Sequence, residues 1–262
     1  MNRGSVPAWL ALGLLGAVCA QAAPPPPTSH WALVWADEFD GSEADLDRRW
    51  ESQNGPSTHI LCSRWRENVS VSNSLLRLVA RKERRGGQDW TAGSIWTREK
   101  FLYGYFECRY RYAGATGLNN SFWLMPLRQD EIVAGKFFEI DVNEGHYPNR
   151  INTNIHNHSD VTETNGRRRH PSWPRSWTIP DADFSKEFQV FGLMWDEREL
   201  VFYHNRKELR REPNRFCHSP ARVWLSLAVI SWAGPVTEAI HGQVMEVDYV
   251  RIYRVRTGSR AD

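Results

Sequence analysis

The sequence predicts an all-β sandwich, and the first reason is period-two alternation of apolar and polar residues along most of the chain. Turn signals at short intervals are the second reason, and the lack of any helix-length 3.6-residue pattern is the third. Many short strands of this kind bury their apolar faces by packing as two facing sheets, and the other faces are left to line surfaces.

The strands can be placed in turn. ENVSVSNSLLRLVARKE, from Glu67, holds two alternating runs split by Ser72-Asn73-Ser74. In GYFECRYRYAG, Phe106, Cys108, Tyr110 and Tyr112 alternate with Tyr105, Glu107, Arg109 and Arg111. FQVFGLMWDERELVFYHNRKELRR reads as strand, turn at Asp196–Glu199, strand, turn at Asn205-Arg206 and a further short strand. VWLSLAVISW and GQVMEVDYVRIYRV supply two more. No internal repeat is present.

The N-terminal stretch has the three parts of a secretory signal over residues 1–22. Arg3 gives the positive start, Trp9 to Ala20 the apolar run, and Ala20-Gln21-Ala22 a small-residue cleavage site. That run is too short for a stable membrane-spanning helix. Residues 23–30, APPPPTSH, form a short proline-stiffened spacer. Residues 31–262 carry no linker-like interruption and read as one domain. The expectation is an exported protein, secreted or periplasmic, with no membrane span and a monomeric state.

With 33 Lys+Arg against 31 Asp+Glu the chain is close to neutral, which argues against nucleic acid as its partner. The exception is local: Arg167, Arg168 and Arg169, followed by Arg175, form a basic patch. Cys19 leaves with the signal, so Cys62, Cys108 and Cys217 allow at most one bridge. Cys108 alternates with Phe106 and Tyr110 as a buried thiol would, which leaves Cys62–Cys217 as the expected pair. The chain has 13 Trp, and indole faces stack on the C–H faces of sugars as well as filling cores, which raises the expectation of a carbohydrate partner.

FFEIDVNEGHY, from Phe137 to Tyr147, sets three carboxylates on an otherwise apolar strand. Glu139 and Asp141 share one face, while Ile140 and Val142 face the core. Strict alternation would then put Asn143 on the acidic face and bury Glu144, and an unpaired buried Glu is very costly. One extra residue, a β-bulge, returns Glu144 to the face of Glu139. Same-face neighbours on a strand stand roughly 6.5–7 Å apart at the backbone, and side chains can close that to the about 5–5.5 Å that separates the two carboxyl groups of a retaining glycosidase. Backbone spacing alone does not assign the roles. A middle Asp can keep one Glu ionised while its charge raises the proton affinity of the other.

FEIDVNEG resembles the signature of glycoside hydrolase family 16 in its bulged form, Glu-x-Asp-x-x-Glu. The likeness continues along the chain: WADEFDG is similar to the family's opening strand, TAGSIWTREKFLYGYFECRY to the segment before the cleft, and NNSFWLMP to its tryptophan-bearing strand. LAVISWAGP is similar to a later cleft strand and MEVDYVRIYR to the closing strand. The resemblance implies a concanavalin-like jelly-roll sandwich with an open cleft on its concave sheet. It implies retaining, endo-acting hydrolysis of a β-linked polysaccharide, with Glu139 as nucleophile, Asp141 as its orienting partner and Glu144 as general acid/base.

Trp123 matches a cleft tryptophan expected to stack on sugar, and Trp232 in SWAG is its weaker counterpart. Asn154, His156 and His158 alternate on NTNIHNHS, and His156 matches a position that would touch substrate or Glu144. The same three residues suggest a metal, but no fourth ligand is evident and the family's chemistry uses no cofactor. Some members hold a structural calcium near the first and last strands, where Asp248 is a candidate ligand.

Two departures bear on substrate. Ser94 in TAGSIW stands where the family often has an Arg, so one sugar contact is expected to be missing. TETNGRRRHPSWPRSW, from Thr162, is longer and more basic than a neutral glucan needs, and reads either as a solvated loop or as an Arg clamp for sulfate. β-1,3-Glucan, as for a laminarinase, is the leading expectation. Agar, porphyran or carrageenan-type galactan is the alternative, a transglycosylase would use the same residues, and a non-catalytic lectin-like sandwich is the rival from another class. Asn68-Val-Ser70, Asn119-Asn-Ser121 and Asn157-His-Ser159 fit the glycosylation pattern and are given no role.

Overall fold

The computed structural model describes residues 31–256; the expected signal at 1–22 and spacer at 23–30 lie outside the described residues. Two large antiparallel sheets stack around one core. The outer sheet runs in the order Lys207–Pro213, Glu199–His204, Gln189–Trp195, Gly104–Arg111, Val244–Val255, Leu75–Val79 and Val69–Ser72, with Trp31–Asp37 also paired to Val244–Val255. The cleft sheet runs Arg175–Thr178, Arg150–Asn157, Phe138–His146, Leu118–Met125, Arg222–Val229, Ser94–Thr97 and Trp50–Ser52. This is the jelly-roll sandwich that the alternation and the resemblance led us to expect.

The alternation read along GYFECRYRYAG is the packing seen. Phe106, Cys108, Tyr110 and Tyr112 are buried in the core, while Arg109 and Arg111 pair outward with Asp248 and Glu246. Side chains from the two sheets meet directly: Phe138 packs edge-on against Trp195 at 5.7 Å between ring centres. The turns also fall where they were read. Asn205 and Arg206 both take positive φ between Glu199–His204 and Lys207–Pro213, the two-residue connection that matches strand twist.

Two features differ from the sequence reading. Glu43–Arg49 is a seven-residue helix, too short to show a period but marked by a capping box in which Ser42 and Asp45 satisfy each other's backbone N–H groups. All three described cysteines are free, so the expected Cys62–Cys217 bridge is corrected. Each thiol is buried in its own surroundings. Cys62 Sγ accepts from the Val229 N–H at 3.3 Å, and Cys217 sits in a turn whose carbonyl accepts from Trp195 Nε1 at 2.9 Å. Among the described residues no helix is long and apolar enough to cross a membrane.

Candidate active site

The acid strand, Phe138–His146, lies between the tryptophan strand Leu118–Met125 and the histidine strand Arg150–Asn157. Its register against the tryptophan strand slips by one residue: Ser121 faces Glu144 and Phe122 faces Asn143, but Trp123 faces Asp141. The same slip appears against the histidine strand between Asp141 and His146. The extra residue is the bulge that the placement of three carboxylates requires, and Glu139, Asp141 and Glu144 all line one groove of about 680 Å³.

Side-chain chemistry holds the bulge in place. Asn143 points into the core, and its Nδ2 donates to the hydroxyls of Tyr110 and Tyr112 at 2.6 and 2.7 Å. Asn152 completes the clamp, giving its N–H to Asn143 Oδ1 and its Nδ2 to the Glu144 carbonyl. Buried polar groups at a bulge need such partners because the ladder there is interrupted. Gly145 follows for steric reasons: a Cβ at this position would meet the Tyr112 ring at 2.2 Å.

The three carboxyl groups have different surroundings. Burial works to raise Glu139, but a hydrogen bond from His158 Nε2 at 3.1 Å, with a further one from the Asp141 carboxyl, holds it below the usual glutamate range. Asp141, 3% exposed, is pushed well up by burial and by the charges of Glu139 and Glu144, so it keeps its proton and shares it with Glu139. Burial also raises Glu144, against a hydrogen bond from Asn119 Nδ2 at 2.6 Å and with help from the Glu139 charge. The row therefore sets a Glu whose ionised form is favoured and a Glu whose protonated form is favoured at one groove.

His156 lines the groove but does not contact Glu144. Its Nε2 lies 3.1 Å from Asp141 Oδ2 and its Nδ1 2.8 Å from His170 Nε2, and Asn119 is the residue on Glu144. Burial pushes His156 down to about 4, so the ring is neutral in mildly acidic solution. Asn154 lines the groove, His156 Nδ1 bonds His170 and His158 bonds Glu139.

Trp123 lines the groove and stacks on Trp224 at 4.6 Å, and Trp224 packs in turn against Trp96 at 4.6 Å with the rings tilted by 37°. Trp123 Nε1 donates to Ser226 Oγ, which fixes the ring plane. Trp232 also lines the groove, on a single helical turn, and is 59% exposed. Asp248 is paired with Arg109 on the outer sheet.

Several groove residues escaped the sequence reading: Asn119, His158 as the partner of Glu139, His170, His59 and Arg64. Alternation placed His158 on the cleft face but did not name its partner. Arg64, from strand Cys62–Arg64, is 6% exposed and has no carboxylate partner among the described residues. Its guanidinium bonds the carbonyls of Gly93 and Leu227, and so stands beside Ser94, the position that lacks the expected Arg. No local pattern marks it. The basic loop is a hairpin, Thr162–Thr164 with Arg167–Arg169, turned by Asn165 and Gly166 at positive φ, with its arginines exposed.

The family model described as the beta-porphyranase A–D GH16 domain matches residues 31–255. The chain belongs to glycoside hydrolase family 16. As a family 16 protein it is an endo-acting glycoside hydrolase, and the lectin-like reading falls away. It is 28% identical over 260 residues to a beta-glucanase of Rhodothermus marinus, covering 86% of each chain. It is 29% identical to the endo-1,3-1,4-beta-glycanase EglC of Rhizobium meliloti, over 70% of this chain and 39% of that one. Among solved structures, the laminarinase catalytic domain of Thermotoga maritima superposes with a TM-score of 0.74 at 25% identity, over 87% of this chain and 99% of that domain.

Proposed function

We propose that this family 16 protein is an exported, retaining endo-β-glucanase with a lean towards β-1,3-linked glucan. The observation that carries the reading is the bulge that brings Glu139 and Glu144 to one face of the strand and one groove, where their surroundings push Glu139 down and Glu144 up. Similarity to glucanases and a laminarinase supports the choice of sugar backbone, and the signal-like N-terminus supports export.

In this mechanism Glu139 attacks the anomeric carbon while Glu144 gives its proton to the departing glycosidic oxygen. A glycosyl–Glu139 ester forms and the glycosidic C–O bond breaks. Glu144, now ionised, takes a proton from an incoming water, whose oxygen displaces Glu139 with a second inversion. Asp141 carries its proton throughout and hydrogen-bonds Glu139, so negative charge rests on one oxygen pair of the row. Trp123, Trp232 and His156 are the proposed substrate contacts, with Trp224 stacked behind Trp123 and Trp96 packed against Trp224.

A panel of laminarin, mixed-linkage glucan, agarose, porphyran and carrageenans with reducing-end detection tests the substrate. Cleavage of laminarin above the galactans is expected. The second reading, a sulfated galactan, is favoured by the exposed Arg167–Arg169 hairpin and by the porphyranase description of the matching family model. Alanine at all three arginines should weaken sulfated oligosaccharides relative to neutral ones if that reading is right, and an equal response to both leaves the hairpin a solvated arm.

A further inference from the structure

The segment Arg169-His170-Pro171-Ser172-Trp173 returns from the basic hairpin along the edge of the histidine strand. The Asn157 N–H donates to the Pro171 carbonyl at 2.9 Å, and the Trp173 N–H donates to the Ile155 carbonyl at 3.1 Å. These two bonds fix the backbone on either side of the His156–Ser172 bridge and bring His170 into the groove. Its ring centre lies 4.3 Å from that of His158 and 4.9 Å from that of His156, and the His156 and His158 rings are parallel within 6° at 5.6 Å. Three imidazoles therefore pack as one block against Glu139 and Asp141.

We infer that His158 is a positioning residue for the nucleophile Glu139, and that His170 locks the His158 ring in the orientation that serves it. The inference rests on the reading of Glu139 as nucleophile. His158 touches the carboxylate and not, in this geometry, the reacting carbon: its Nε2 contacts Glu139 Oε2, on a side chain that must keep one oxygen aimed across the groove. A carboxylate with a free rotor loses that aim, and an imidazole free to turn cannot hold it. His170 removes the second freedom by packing on the His158 face while its Nε2 bonds His156 Nδ1. The long basic insertion thus has a task inside the cleft, which is to deliver His170.

The groups that face Glu139 are His156 from the histidine strand, His158 just past its end, His170 from the returning segment, His59 from the loop before Cys62–Arg64, and Asp141 and Glu144 on its own strand. His158 makes the closest contact recorded from the neighbouring segments.

The test uses the whole mature chain and the polymer that wild type cleaves best. His158→Ala should lower kcat about 10–100-fold, the loss expected for one hydrogen bond to a charged group, with KM within twofold and the acid limb of kcat/KM moved to higher pH. His158→Gln, which keeps a donor to the carboxylate, should recover most of kcat and return the acid limb towards its wild-type position. His170→Ala should give a smaller loss of the same kind, in kcat rather than KM. A folded His158→Ala with unchanged kcat, or a His170→Ala loss confined to KM, overturns the inference; His170 lies at the groove edge, so its variant decides the matter even if His158→Ala does not fold. Glu139→Gln separates the two levels: full activity there refutes the nucleophile reading itself, whatever the histidine variants do.

Discussion

Asn143 turns away from the groove and hydrogen-bonds the Tyr110 hydroxyl of the opposite sheet at 2.6 Å. Asn143, and not Glu144, therefore occupies the inward position, so both glutamates reach the same trough. A bulge inside a sheet gives up ladder bonds, and here the side chains of Asn143 and Asn152 replace them. Asn143→Leu should remove two bonds to buried hydroxyls and destabilise the fold by about 1–3 kcal/mol. Denaturant unfolding measures that loss, and kcat should fall further than the lost stability explains, since the register of Glu144 depends on the clamp.

The split of the two glutamates has a kinetic signature. Glu139→Gln should abolish cleavage while polymer binding survives, as read by affinity electrophoresis. Glu144→Gln should slow an activated aryl glycoside much less than natural polymer, because a good leaving group needs no proton. Equal losses on the two substrates would count against Glu144 as the acid.

The pH profile of kcat/KM should be a bell. Glu139 must be ionised and is held below the usual glutamate range, so the acid limb should fall below that of an ordinary Glu. Glu144 must be protonated and is raised, so the alkaline limb should lie above the ordinary value. Asn119→Ala removes the one hydrogen bond that favours ionised Glu144, and the alkaline limb should move to still higher pH. A limb that stays in place would detach Asn119 from the acid.

Trp232 is proposed as an exposed sugar platform, whereas Trp123 is backed by two further indoles. Trp232→Ala should raise KM severalfold with kcat little changed, the pattern of lost uniform binding. Trp123→Ala should also lower kcat, because its ring lies directly across from Asp141 in the strand register. Steady-state kinetics on a soluble oligosaccharide separates the two.

The acid row and its bulge were legible because alternation sets a face for every residue, and a buried unpaired Glu is too unfavourable to accept. The strands from Glu67, Gly104 and Gln189 were legible for the same reason. The helix Glu43–Arg49 was missed because seven residues carry too little period, although its Ser42–Asp45 box was in view. Partners were harder to read. That His156 meets Asp141 and Asn119 meets Glu144 follows from register between strands, and a single sequence contains no record of register. The free Cys62 and Cys217 make the same point: their count permitted a bridge, and their separate packing decided otherwise.

By itself the sequence determined the class of fold, the one-residue kink in the acid strand and the identity of its three carboxyl groups, since period-two patterning and the desolvation of charge act locally along the chain. The tertiary structure alone decided which glutamate is pushed down and which up, why His158 and His170 stand at Glu139, and how Arg64 comes to lie beside Ser94. Those outcomes depend on fields and hydrogen bonds between residues far apart in the chain, and only the stacking of the sheets sets those distances.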